Sequence, residues 1–246
     1  MPADLQKTLQ EWSALQSVWG VPERQKVAGS SLELVEIKRE KAPDGHTIIY
    51  YNFKVKGLPA NATYTMEYWP VGSPVHPFQK IASGLKINSE GFVVRLPNMP
   101  CGDKNRPEYP LQIAIQKTAG GDTHRFILSS EKDRNAWVTG IATPFPNRSV
   151  SDSCQLEIVR MSHNGEVLFL YGSGFPKDQT LTFQDNSAGE ERAATTHTND
   201  QGHFQMVELP FVTGKNSGKL EIKVASGADC HPAISAEWGE GSYQPQ

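Results

Sequence analysis

The sequence predicts an all-β chain of two tandem β-sandwiches behind a short N-terminal α-helix. Three observations predict it: a dense supply of turn residues, apolar residues on alternate positions, and an internal repeat. The 246-residue chain carries 21 glycines and 17 prolines, the turn content that many short strands require. Phe53 and Val55 alternate with Asn52 and Lys54, and Tyr64, Met66 and Tyr68 alternate with Thr65 and Glu67, the period of a half-buried strand. Helical periodicity is absent after residue 20.

The repeat has four blocks in the same order. "LELVEI" from Leu32 matches "LEIVRM" from Leu156, and "TIIYYNFKVKGLP" from Thr47 matches "EVLFLYGSGFP" from Glu166. "INSEGFVVRLP" from Ile87 matches "TNDQGHFQMVELP" from Thr198, and "LQIAIQ" from Leu111 matches "LEIKVA" from Leu220. The offset falls from 124 to 109, as longer loops in the first copy would produce. The blocks place one domain over 28–130 and a second over 151–239. Strands are expected near 31–38, 47–55, 63–69, 79–87, 91–96, 111–117 and 124–129. In the second copy they are expected near 155–161, 166–172, 180–184, 190–198, 203–209, 219–225 and 232–238. Seven short strands per copy fit an immunoglobulin-like sandwich. The repeated Gly-apolar-Pro ends one strand and turns a corner, with proline fixing φ. "NSEG" and "NDQG" read as hairpin turns closed by Gly91 and Gly202.

"GSGFP" at Gly172–Pro176, followed by "TNDQGHF" at Thr198–Phe204, resembles the corner and hairpin of bacterial extracellular immunoglobulin-like repeats. The resemblance covers most of the second copy. In the first, Gly57-Leu58-Pro59 lacks the leading glycine and the phenylalanine. The resemblance implies a stalk, a spacer or a binding surface, and it carries no catalytic residues over.

Residues 1–27 are read as an amphipathic helix and its lead-in. Leu5, Leu9, Trp12 and Trp19 lie on one face, with Gly20 as the stop. That helix either docks on the first sandwich or binds a partner. Residues 131–150 read as a linker stiffened by Pro144-Phe145-Pro146, and 240–246 as a loose tail.

Superposing the copies sets Cys154 opposite Ser30 and Cys230 opposite Thr123. Paired replacement of small hydroxyl residues by cysteine is what a disulfide produces, and it places the chain outside the cell, on its surface or in a periplasm. The alternative is two buried thiols. Cys101 is left over, either free or paired with another chain. The start of the chain lacks a basic region and a continuous apolar run, so it is not a signal peptide.

A net charge of −3 without long runs of one sign gives no argument for nucleic acid, and no stretch has the roughly 20 apolar residues of a membrane span. The seven histidines avoid zinc spacings, and no nucleophile elbow or phosphate loop is present. Asp185, Asn186, Asn199 and Asp200 carry calcium-type oxygens outside any recognised loop. No catalytic residue, metal or cofactor is therefore assigned. The candidate contact surface is aromatic: Val167, Phe169 and Tyr171 fall on the face opposite Leu168 and Leu170, Tyr50 faces the same way in the first copy, and Trp69 forms a second cluster. The alternative is that other parts of the chain cover these residues. The expected function is a non-enzymatic adhesion, assembly or spacer module with a protein or glycan partner. The competing readings are a carbohydrate-binding accessory of a glycan-processing system and an enzyme with an unfamiliar site.

Overall fold

The computed structural model describes residues 27, 29–69, 79–95, 108–133 and 136–246. The expected N-terminal helix with Leu5, Leu9, Trp12 and Trp19, and the leftover Cys101, lie outside the described residues. Every regular element among the described residues is a β-strand. The chain divides into two compact units, Met1–Lys117 with His124–Ala142, and Thr118–Thr123 with Thr143–Gln246.

The first unit holds β1 (Ser31–Lys41), β2 (Thr47–Lys56), β3 (Tyr64–Trp69), β4 (Gln79–Ile87), β5 (Val93–Arg95), β6 (Tyr109–Pro110), β7 (Gln112–Gln116), β8 (His124–Ser130) and β9 (Trp137–Ala142). They form a sheet ordered β1-β2-β7 and a larger one ordered β6-β5-β4-β3-β8-β9, with all pairs antiparallel. On β2 the alternate residues Thr47, Ile49, Tyr51, Phe53 and Val55 are buried. Phe53 meets Phe126 of β8 edge-on across the layers, with ring centres 5.1 Å apart. Each fully buried Phe or Leu contributes about 1.5–3 kcal/mol. β9 packs beside β1 because Gly140 has no side chain; a Cβ there would lie 2.7 Å from the Leu32 carbonyl oxygen.

The second unit holds β10 (Asn147–Ser151), β11 (Cys154–Arg160), β12 (Leu168–Ser173), β13 (Thr180–Ser187), β14 (Glu190–His197), β15 (Phe204–Glu208), β16 (Ser217–Ser226) and β17 (Ala233–Gly239). Its sheets are ordered β10-β11-β12-β15 and β14-β13-β16-β17. Leu156, Ile158, Leu168 and Leu170 of one layer share a core with Leu181, Phe183, Leu220, Ile222 and Trp238 of the other. Residues 131–150, expected to be a linker, contain β9 and the start of β10. The tail expected to be loose is tied down. Ser242 is buried and donates to the Asn164 carbonyl, and Tyr243 stacks on His163 with ring centres 3.9 Å apart.

"NSEG" closes a hairpin between β4 and β5 as expected, but "NDQG" does not: β14 and β15 lie in different sheets, so that turn carries the chain from one layer to the other. The corner and this turn touch each other. The Phe175 N–H donates to the Gly202 carbonyl at 3.2 Å, and a Cβ at Gly202 would fall 2.1 Å from the Phe175 carbonyl oxygen. In the first unit the Val55 N–H donates to the Gly91 carbonyl at 2.8 Å. Both turns are also capped alike. The Asn88 Oδ1 accepts from the N–H groups of Glu90 and Phe92, and the Asn199 Oδ1 from those of Gln201 and His203. Gly172 serves packing rather than φ: it pairs with Phe204, whose ring occupies the space a side chain would need.

Cys154 and Cys230 are joined in a disulfide spanning 76 positions, linking the first residue of β11 to the loop before β17. In the chain-entropy view a loop of that size contributes about 4 kcal/mol. Reduction is expected to lower the melting temperature of this unit by about 10–20 °C in calorimetry. Gly172→Ala is expected to cost roughly 2–4 kcal/mol in denaturant unfolding, and Phe204→Leu in the same chain to recover part of that loss.

Candidate functional site

The outer face of the larger sheet in the first unit is built by strict alternation. Tyr64 and Met66 on β3, Phe126 and Leu128 on β8, and Val138 on β9 all point into the core. Their neighbours Thr65, Glu67, Ile127, Ser129 and Trp137 therefore share the opposite face. Register sets them in rows, Thr65–Ser129–Trp137 and Lys80–Glu67–Ile127.

β4 breaks that regularity. Between Tyr64 and Met66 its register advances from Leu85 to Ala82, and between Met66 and Glu67 from Ala82 to Lys80, so each step carries one extra residue. Such bulges bend the strand and re-aim side chains. Gly84, at φ 68°, supplies the left-handed residue. Its N–H donates at 2.8 Å to the Glu131 Oε1, which also accepts the Thr65 hydroxyl at 3.1 Å. A carboxylate from the end of β8 thus reaches over β3 to hold the bulge. The result is a groove of about 720 Å³ lined by Thr65, Glu67, Lys80, Ser83, Glu131 and Trp137 above Ile127 and Ser129. Among the described residues it joins hydroxyls, mixed charges and one indole.

In the second unit, Val167 and Phe169 do not form the exposed aromatic strip that the sequence suggests. Val167 and Phe169 are only 8% and 1% exposed. Both faces of β12 are covered over Leu168–Leu170, so the alternation that sorts the two faces does not mark one of them as free. Tyr171 is half-buried and meets Phe169 edge-on at 6.2 Å. In the first unit, Tyr50 donates its hydroxyl to Glu40 at 2.6 Å, and the Lys38 ammonium lies 4.3 Å from its ring centre. Trp69 ends β3 and pairs with Arg125.

Most other buried polar groups serve the framework. His124 is pushed down to about 4 by burial, and its Nδ1 is 3.0 Å from the Tyr68 hydroxyl. The Asp122 Oδ2 caps its loop by accepting from the Ala119 N–H and the Thr118 hydroxyl. The oxygens read as calcium-type are partly committed to turns. The Asn186 Oδ1 accepts the Gly189 N–H, and the Asn199 side chain caps its turn. Among the described residues no three acidic, histidine or cysteine side chains come together as a metal site would need.

One cluster differs. Asp185 continues the core-facing series Leu181 and Phe183 on β13, and Glu208 continues Phe204 and Met206 on β15. Arg192, paired with Asp185 across the strands, donates to the Leu209 and Phe211 carbonyls at 3.1 and 2.9 Å. Burial pushes the Glu208 carboxyl up to about 7; nearby Asp185 adds to the rise and Arg192 opposes it. Burial also raises Asp185. The Asp185 Oδ1 and the Glu208 Oε1 are buried without a hydrogen-bond partner. A carboxyl poised near neutrality has the pKa of a general acid or base, but this one sits among core positions.

Because the folded value of about 7 exceeds the ordinary 4.5, the folded chain keeps a proton that the unfolded chain has released between those pH values. The contribution to stability is complete at and below pH 4.5 and is lost as pH rises through about 7. Glu208→Gln is expected to match the parent near pH 4.5 and to be more stable by about 1–3 kcal/mol near pH 8.5, read by denaturant unfolding at both pH values.

No family model matches the chain, and no curated protein matches it. Among solved structures, it is similar to a tetra-tandem repeat from the extending region of a large adhesion protein. That match has 11% identity and a TM-score of 0.25, and covers 87% of this chain and 50% of that one. It is also similar to the chicken interferon gamma receptor alpha chain, with 9% identity and a TM-score of 0.22, covering 83% of this chain and 97% of the receptor chain. The chain thus spans half the length of the adhesion-protein fragment. At these TM-scores neither likeness says what the chain binds.

Proposed function

We propose that the chain is a non-enzymatic, exported binding or structural module, a tandem pair of immunoglobulin-like sandwiches acting in adhesion, assembly or spacing. The observation that carries this reading is the Cys154–Cys230 disulfide in the second unit, a bond that persists in oxidising compartments and is rare in the cytosol. Two further features support it. The matching turn bonds at Asn88–Gly91 and Asn199–Gly202 fit duplication of one sandwich. His124 and Asp122 are engaged in packing and loop capping.

The groove over β3, β4, β8 and β9 favours a second reading, a carbohydrate-binding accessory of a glycan-processing system. It differs from the first in the partner rather than in the fold.

Fractionation of the producing cells is expected to recover the protein from the medium, the surface or the periplasm. Without reductant, Cys154 and Cys230 should resist alkylation and the intact mass should rise by about two daltons on reduction. Recovery from the cytosol with both thiols free would overturn export.

A further inference from the structure

The lining of the first unit's groove excludes most classes of ligand. Among the described residues its charged groups are Glu67, Lys80 and Glu131; with signs mixed, they set up no field of one sign to gather a polyanion or polycation. Its apolar part is Trp137 and Ile127, too little for the desolvated centre of clustered anchors that a protein interface uses. The strands that form its floor, β3 and β8, are paired on both sides, so the floor offers no backbone ladder to an incoming peptide strand.

What remains is one aromatic face beside short hydroxyl side chains and a carboxylate already held in place. Thr65, Ser83 and Ser129 lose little rotamer entropy when they engage a ligand. The Glu131 Oε1 is fixed by the Gly84 N–H and the Thr65 hydroxyl, so its position is set before binding. A sugar ring complements this set. Its C–H face lies against an indole, and its hydroxyls donate to carboxylates and accept from an ammonium or a side-chain hydroxyl. The volume of about 720 Å³ falls in the small-ligand range of about 300–1,000 Å³.

We infer that this groove binds a neutral polysaccharide chain, with Trp137 as the stacking platform and Glu67, Lys80, Glu131 and the three hydroxyls as the polar wall. The inference rests on the reading of the chain as a binding module and names the ligand class of its first unit. The β4 bulges are the device that makes the site, since they turn Ser83 and the Gly84 amide toward β3 and Glu131.

Calorimetric titration of the full chain with cellohexaose, laminarihexaose, xylohexaose, mannohexaose and chitohexaose tests the inference, with oligogalacturonate as the acidic comparison. At least one neutral probe is expected to bind saturably. Binding should weaken at least about tenfold in Trp137→Ala and return in large part in Trp137→Tyr. Melting curves check that the variants fold; if Trp137→Ala does not, Lys80→Ala at an exposed position is read in its place, with a loss of several-fold expected. No binding of any neutral probe, binding unchanged by these substitutions, or preference for oligogalacturonate would each overturn the inference. A protein recovered outside the cell with its disulfide formed that ignores every sugar loses this ligand class and keeps the module reading. One recovered reduced in the cytosol loses that reading whatever the titrations give.

Discussion

At the corner of the second unit, two backbone segments come closer than any side chain would permit, and the layers are spaced around that approach. The Phe175 amide bonds to the Gly202 carbonyl, and a Cβ on Gly174 would fall 1.9 Å from the Ser153 carbonyl oxygen. Proline after Phe175 sets φ at the turn, while the Phe175 ring drops into the core near Phe204, with ring centres 5.4 Å apart. The chain leaving β12 is thereby directed to the opposite layer as β13, and the turn that brings it back from β14 to β15 is pinned at the same point. The first unit meets the same constraint with Gly57, where a Cβ would lie 2.8 Å from the Ser30 Cα, and with Gly91 bonded to Val55. Such a contact costs conformational entropy in the unfolded chain, and burial of the two apolar stripes offsets it.

The two units use polar groups differently. In the first, the groove's polar groups share an outer face, and a carboxylate from outside the bulged strand satisfies the amide that the bulge releases. An unsatisfied amide would cost about 1–3 kcal/mol if buried, so Glu131 has a structural task that also fixes one wall of the groove. In the second, polarity enters the core stripe itself. Asp185 and Ser187 follow Leu181 and Phe183 on the inward side of β13. Ser187 is answered by the Trp238 indole N–H at 3.0 Å and by the Pro210 carbonyl. Arg192 bonds the Leu209 and Phe211 carbonyls, so the connection after β15 is held by side chains where the sheets give no ladder.

Much of the strand pattern was legible because alternation is a direct image of burial. Phe53 and Val55, or Leu181 and Phe183, announce their strands without help from the rest of the chain. The bridge was legible as well, since Cys154 and Cys230 replace hydroxyl residues at matched places. The outer surfaces were harder to read. Alternation separates Phe169 from Leu170 but says nothing of whether the second face is covered, and Phe169 is buried. β10 carries little signal in the sequence because "NRSVS" is short, polar and on a sheet edge. The groove turns on Ser83 and Gly84, where the hint was a glycine inside a strand pattern, and on Glu131, whose reach to that glycine crosses an intervening strand. Glu208 had a signal of its own, an acid on the phase of Phe204 and Met206.

Arg160 shows how tightly one side chain can be written into a fold. Its guanidinium donates to the Glu237 and His163 carbonyls at 3.2 and 2.8 Å and to the Ser242 hydroxyl at 3.2 Å, and its Nε faces Asp122 at 3.7 Å. Burial lowers its proton affinity, and Asp122 works in the opposite direction. A lysine has one nitrogen for these four directions, and an apolar residue would strand the Asp122 carboxylate. Lineages descended from this chain are therefore free to vary either position only together with the other, so in a set of orthologues the two columns should change as a pair.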